Sequence, residues 1–203
     1  MTSPPINLEH QTILKWIERG ASVLDLGCGD GELLADLVAK NNVTACGIDI
    51  DEQAIYKCVA RGLSVFQQDI DTGLSEYSDQ YFDYVILKQS LQQIQKPDFI
   101  MREATRVGKK LIVSLPNFAH YTARFKILFR GRAPVTTTLP YEWYNTPNIH
   151  FLSIIDFIEF CEMKKFRIEK SLFIRNNRAV KILPNFFAET AIFLLSKHQI
   201  KGT

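Results

Sequence analysis

The stretch Val23-Leu-Asp-Leu-Gly-Cys-Gly-Asp-Gly31 decides the fold class. It begins as a run of buried-strand type from Ser22 and passes through three alternating glycines. It then enters Glu32 to Lys40, where Leu33, Leu34, Leu37 and Val38 recur at helical spacing. Glycine at 27, 29 and 31 lets the backbone turn tightly and lets a ligand approach the main chain. In open parallel sheets such a turn after the first strand is where nucleotide-like ligands bind.

The pattern extends in both directions. Upstream, Asn7 caps a predicted helix from Leu8 to Arg19, with Leu8, Ile13, Leu14 and Ile17 broadly on one face and Gly20 as its stop. Downstream, Val43 to Ile48 reads as a second strand, and Asp51 caps a helix through Arg61 that Gly62 closes. Leu63 to Gln67 is a third strand and Phe82 to Leu87 a fourth. Pro97 suits the first turn of a helix through Val107, and Lys110 to Ser114 is a fifth strand. Strands alternating with helices in this way imply βαβ units and a parallel sheet covered on both faces.

After Pro116 the pattern changes. His120 to Arg130 is helical and amphipathic, with Tyr121, Phe125, Leu128 and Phe129 as its apolar stripe. Gly131 to Leu152 is a long segment carrying Pro134, Pro140 and Pro147. Loops that long within a domain are usually functional or carry irregular structure. Ser153-x-x-Asp156 is a capping box that opens a helix to about Lys165. Phe166 to Phe173 and Ala188 to Ser196 are strands with no helical period between them, so they should pair antiparallel. The predicted fold is α/β: a three-layer, Rossmann-like sandwich with a mainly parallel seven-stranded sheet and one antiparallel strand near the edge. A single domain over residues 1–203 is expected, with 116–150 as a helical and loop insertion over the ligand crevice.

Composition excludes several classes. At 46% hydrophobic and 23% charged over 203 residues, the chain is neither disordered nor a coiled-coil fibre. No apolar run reaches the roughly 20 residues of a membrane span; the most apolar stretch, Phe186 to Leu195, is broken by Glu189 and Thr190. Met1 to Pro5 lacks a basic region followed by an apolar block, so no signal peptide is expected, and the expected location is the cytoplasm. Cys28, Cys46, Cys58 and Cys161 form no C-x-x-C pair, which predicts free thiols and no metal site. Residues 1–100 hold 15 acidic and 7 basic side chains, a net −8; residues 101–203 hold 7 and 17, a net +10. Such asymmetry fits either a solvated charge distribution within one body or a surface for a partner or nucleic acid.

Two ligand classes compete for the glycine turn. A dinucleotide fingerprint, G-x-G-x-x-G, needs glycine where this chain has Glu32, whose charge would repel a pyrophosphate. The pattern D-x-G-x-G-x-G is satisfied by Asp25, Gly27, Gly29 and Gly31. It resembles motif I of the class I S-adenosylmethionine (SAM) methyltransferases, whose ligand carries an ammonium rather than a phosphate. Asp49 ends the second predicted strand 20 residues past Gly29, the usual offset for an acid that accepts from ribose hydroxyls. Asp69 follows the third strand, where the resemblance implies an acid on the adenine amino group with Ile70 packed on the ring. The expected site is therefore Asp25, Gly27, Cys28, Gly29, Gly31, Asp49, Ile50, Asp69 and Ile70, holding SAM or S-adenosylhomocysteine.

Catalytic residues are not assignable from the sequence. The end of the fourth strand reads Leu87-Lys-Gln-Ser90. It lacks the Asn/Asp-Pro-Pro-aromatic tetrad of amino-methylating enzymes and the Pro-Cys of cytosine-C5 enzymes, which removes support for a nucleic-acid substrate. His10, His120, His150 and His198 are scattered; His150 fits either a base or a structural role. Lys88 fits either a contact to a substrate carboxylate or a solvated surface.

The most specific segments are Ser114-Leu-Pro-Asn-Phe-Ala-His-Tyr121, Leu128-Phe-Arg-Gly-Arg-Ala-Pro-Val135 and Leu139-Pro-Tyr-Glu-Trp-Tyr-Asn-Thr-Pro-Asn-Ile-His150. With Val23 to Leu33 and Phe82 to Leu87, they resemble the methionine biosynthesis protein MetW family over roughly residues 8–175. The resemblance implies a class I methyltransferase fold that works with the homoserine O-acyltransferase MetX as an accessory or regulatory partner sensing SAM. A SAM-dependent methyltransferase acting on a small-molecule acceptor is the alternative. This chain departs from the family pattern at Lys88, where a small polar residue is expected. Tyr141, Trp143 and Tyr144 fit a partner interface, a substrate lid or a packed core. The expected partner is the acyltransferase, with a homodimer allowed and neither nucleic acid nor membrane.

Overall fold

The computed structural model describes residues 7–136 and 138–197. The Met1 to Pro5 leader reading and His198 lie outside the described residues. Two compact units make up the chain: Met1–Lys88 with Lys96–Ile112, and Gln89–Gln95 with Val113–Thr203. Among the described residues one eight-stranded sheet has the order β3-β2-β1-β4-β5-β8-β6-β7.

The first unit is built from βαβ repeats. Helix α1 (Leu8–Trp16) leads into β1 (Ser22–Leu26), α2 (Glu32–Asn41), β2 (Thr44–Asp49), α3 (Glu52–Ala60) and β3 (Ser64–Gln67). Strand β4 (Phe82–Lys88) and α4 (Pro97–Val107) follow, then the start of β5 (Gly108–Pro116). Strand β1 is parallel to both β2 and β4, pairing Asp25 with Gly47 on one side and with Ile86 on the other. Val23, Leu24, Leu26, Val85, Ile86 and Leu87 are fully buried, as strands covered on both faces require. Local chemistry fixes the helix ends. Asn7 accepts from the His10 N–H, Asp51 accepts from the Gln53 N–H, and Pro97 occupies the first turn of α4.

Helix α1 ends three residues before the predicted Arg19. Asn41 Nδ2 donates to the carbonyls of Leu14 (2.9 Å) and Ile17 (2.8 Å), satisfying acceptors that a longer helix would have used internally. The same helix buries His10 and Thr12 beside Ile13, polar residues that the apolar spacing did not mark.

The second unit holds the end of β5, α5 (Tyr121–Arg130), α6 (Ile154–Met163), β6 (Phe166–Arg175), β7 (Arg178–Ala179), α7 (Pro184–Phe187) and β8 (Thr190–Lys197). Strands β6 and β8 pair antiparallel, as predicted. The capping box at α6 is complete: Ser153 Oγ accepts from the Asp156 N–H, and Asp156 Oδ2 accepts from the Ser153 N–H. The predicted seven strands become eight because β6 turns back into the two-residue β7, also antiparallel. The turn is Asn176-Asn177, both at positive φ (47° and 59°). Asparagine tolerates that conformation better than other side chains, so a tight hairpin forms without glycine. Helix α7 is a single turn started by Pro184, too short to leave an apolar period.

Candidate functional site

The glycine turn and the strand ends beside it lie wholly in the first unit. At the end of β1 the N–H groups of Gly27 and Cys28 both donate to Ile48 O, at 2.8 and 3.0 Å, which ties the turn to β2. The Gly31 N–H closes it on Cys28 O at 3.1 Å. Gly31 has φ +74°, and a Cβ there would lie 2.5 Å from Leu63 Cδ1 and 2.7 Å from Cys58 Sγ. Gly29 also has positive φ, +56°, but a Cβ on it would meet nothing within 4 Å. One glycine is thus required by packing. The other leaves open space against bare backbone.

Asp49 organises this turn. Its Oδ2 accepts from the Gly29 N–H at 2.7 Å and its Oδ1 from the Asp51 N–H at 2.9 Å. The carboxylate is half-buried, and each oxygen keeps acceptor capacity beyond these bonds. The next residue, Ile50, is 66% exposed, an apolar side chain left uncovered beside an acid. Asp69 is exposed and caps the short 3₁₀ turn Ile70–Thr72, accepting from the Asp71 N–H at 2.9 Å; Ile70 is half-buried.

Asp25 is different in kind. It is only 2% exposed, and its Oδ1 has no hydrogen-bond partner among the described residues. Burial pushes its carboxyl up to about 7; Lys88 opposes the shift, and the nearby Asp49 charge adds to it. A buried, unpartnered carboxyl oxygen is costly and calls for an explanation. A donor arriving from outside the chain would satisfy it.

Cys28 packs rather than reacts. Its Sγ lies 4.0 Å from Cys58 Sγ, and the Cys58 thiol donates to Gly29 O at 3.2 Å. Burial, with the neighbouring Asp25 charge, drives the Cys28 thiol far above its ordinary range, so it stays neutral. All four cysteines are free thiols. Among the described residues no group of three or more His, Cys, Asp or Glu side chains is arranged to hold a metal. None of the described helices is long and apolar enough to cross a membrane.

The histidines resolve into separate roles. His150 Nε2 lies 3.0 Å from Ile94 O, and the backbone N–H groups of Ile149 and His150 both donate to Gln92 O. These contacts pin the long 131–152 segment to residues 89–95 and give His150 a structural tie. His120 is buried, with Nδ1 2.8 Å from Thr122 Oγ1. His10, which the sequence reading left unassigned, is 4% exposed with Nε2 3.0 Å from Asp36 Oδ2. Burial lowers its pKa first and Lys88 second, while Asp36 and Glu32 oppose them. The signal available in sequence was only its place three residues after the Asn7 cap.

In the second unit, α5 leaves Phe125, Ile127, Leu128 and Phe129 exposed, the last two at 71% and 78%. Tyr121 instead turns inward, stacking on Phe186 and accepting from an Arg175 guanidinium N–H at 2.7 Å. Trp143 (75%) and Tyr144 (70%) are exposed and pack edge to face on each other, so they are not core.

Comparison with known proteins gives a family and a fold. The family model described as methionine biosynthesis protein MetW matches residues 7–195. A relative from Rhodopirellula baltica, the bifunctional methionine biosynthesis protein MetXA/MetW, is 32% identical over 200 residues, which is 92% of this chain and 32% of the relative. The chain therefore spans about a third of the length of that relative. Among solved structures, a SAM-dependent methyltransferase from Archaeoglobus fulgidus matches with TM-score 0.70 and 16% identity, covering 93% of this chain and 91% of that one. Another from Aquifex aeolicus matches with TM-score 0.61 and 16% identity, covering 92% and 88%. At these identities the likeness is one of fold.

Proposed function

The chain belongs to the MetW family of methionine biosynthesis proteins, and from that premise we propose that it binds SAM and acts as an accessory partner of a homoserine O-acyltransferase. The observation that carries the ligand half is the buried Asp25 oxygen without a partner, at the end of β1 just before the turn that holds open, positive-φ Gly29. An ammonium at Asp25 supplies the missing donor and compensates the buried charge. Gly29 lets the ligand approach backbone where any side chain would intrude. Asp49 accepts from ribose hydroxyls with its remaining lone pairs, Ile50 and Ile70 offer apolar contact to the adenine, and Asp69 accepts from its amino group. When bound, SAM supplies a sulfonium-activated methyl and, as a product of the methionine branch, a signal of pathway output.

The partner half is supported by the Rhodopirellula baltica relative, whose name joins MetXA to MetW in one chain. It is supported too by the exposed Phe125, Leu128 and Phe129 on one face of α5, with Arg124 and Arg130 on the same helix. Exposed aromatics beside arginine are the composition of interface cores. Methyl transfer to a small acceptor is the second reading, favoured by the methyltransferase-like neighbours in fold. The test has two arms. Calorimetry should give saturable SAM binding that Asp49→Ala weakens by about 1–3 kcal/mol, the cost of unpaired polar groups. Co-elution with the cognate acyltransferase at micromolar concentration should give a stable complex. Saturable SAM binding without that complex, together with radiolabel transfer from SAM into a metabolite extract, would favour the second reading.

A further inference from the structure

Lys88 is the charged side chain at the strand ends that the reading above leaves unused. It is the last residue of β4, half-buried, and makes no hydrogen bond or ion pair among the described residues. The register fixes its side. Asp25 pairs with Ile86, and side chains alternate along a strand, so Lys88, two residues on, projects from the same sheet face as Asp25. Its ammonium is close enough to hold down the titration of both Asp25 and His10. Acids lie around this cluster too: Asp49 near Asp25, and Glu32 and Asp36 near His10, with Asp36 already paired to Lys40 at 2.8 Å.

A half-buried lysine with no ion-pair partner seeks an anion, and the surrounding acids restrict which anion it can take. A phosphate would bring extra negative charge against Asp25 and Asp49. A carboxylate that arrives attached to its own ammonium adds no net charge. The spacing fits as well. Two residues of strand place the Lys88 backbone about 6.6 Å beyond that of Ile86, the partner of Asp25. The nitrogen and carboxyl carbon of an α-amino acid lie about 2.5 Å apart by bond geometry, and charge-assisted hydrogen bonds add about 2.8 Å at each end.

We propose that Lys88 and Asp25 form a zwitterion clamp, in which Lys88 recognises the α-carboxylate of the ligand's amino-acid moiety while Asp25 takes its α-ammonium. This rests on the SAM reading of the glycine turn and adds the residue that selects for the carboxylate. The clamp makes the site discriminate SAM from adenosine-sulfur compounds that have lost that group.

The test is calorimetric titration of the full chain with SAM, with decarboxylated SAM, and with 5′-methylthioadenosine, which lacks the whole tail. Wild-type protein should bind SAM at least tenfold more tightly than decarboxylated SAM. Lys88→Met, which keeps the stem, should weaken SAM tenfold or more and leave decarboxylated SAM within twofold. Lys88→Arg should restore most of the SAM affinity. The wild-type comparison needs no variant, so it holds even if Lys88→Met folds poorly. Equal wild-type affinity for SAM and decarboxylated SAM overturns the clamp, as does a Lys88→Met effect of the same size on both. Wild-type protein that binds none of the three overturns the site reading itself and the clamp with it.

Discussion

The glycine turn and the α5–Trp143 region treat their side chains in opposite ways. Around the turn, polar groups are bonded to the chain's own backbone. Asp49 holds Gly29 and Asp51, Asp69 caps its own 3₁₀ turn, and Gly27 and Cys28 are tied to Ile48. Among the described residues a single buried acceptor, on Asp25, is left over there. In α5 and residues 141–151 the surplus is apolar instead: Leu128, Phe129, Trp143 and Phe151 stay largely exposed. On the reading proposed above, the first region is organised for a small charged ligand before any ligand arrives. The second packs its aromatics on one another at the surface, Phe125 with Phe129 and Trp143 with Tyr144, and leaves them largely exposed, as surfaces that meet another protein do.

Mutations should separate these two regions. Gly29→Val is expected to have the largest effect, abolishing SAM binding in calorimetry, because it puts a branched side chain at φ +56° into the open approach. Acyltransferase association should survive that change if the regions act independently. Phe129→Glu should do the converse, weakening co-elution with the acyltransferase at least tenfold while SAM affinity and melting temperature stay near wild type. Loss of SAM binding in Phe129→Glu would break the distinction. Gly31→Ala should lower stability by about 1–3 kcal/mol in denaturant titration, since its Cβ meets Leu63 and Cys58 below contact distance. Trp143→Ala should have a smaller effect, seen as a faster off-rate from the acyltransferase in surface-based kinetics.

The smallest effect is a pH slope. Asp25 titrates near 7 in the folded ligand-free protein and near 4 when unfolded. Its folded-state pKa is raised, so the stability linked to it is present below about pH 4 and is lost as pH rises toward 7. Asp25→Asn should flatten that part of the stability–pH curve, measured by urea unfolding without ligand. An unchanged slope would mean that Asp25 is not the group left unpaired in the turn.

The sequence reads well where local chemistry sets the structure. Strand β1 falls on the predicted Ser22 to Leu26, α4 on Pro97 to Val107, and the Ser153–Asp156 box forms as written. These elements are set by capping groups, proline and uninterrupted apolar runs, which act over a few residues. The candidate acids were legible because their spacing along the chain reflects the strand–helix repeat. What remained hidden depends on partners distant in sequence. Asn41 trims α1 by reaching Leu14 and Ile17, and no local pattern carries that contact. The burial of His10 depends on α2, and the difference between inward Tyr121 and outward Phe129 depends on Phe186 and Arg175. That Asp25 is the unpartnered acid among three was likewise invisible, because all three have the same residue type and similar positions at strand ends.

The most direct test of the account is homoserine O-acyltransferase activity measured with and without this chain, each titrated with SAM. The account predicts a rate that changes when the chain is added, and a change whose size depends on SAM and is lost in Gly29→Val. An acyltransferase rate indifferent to the chain at every SAM concentration, with SAM binding confirmed by calorimetry, would contradict it.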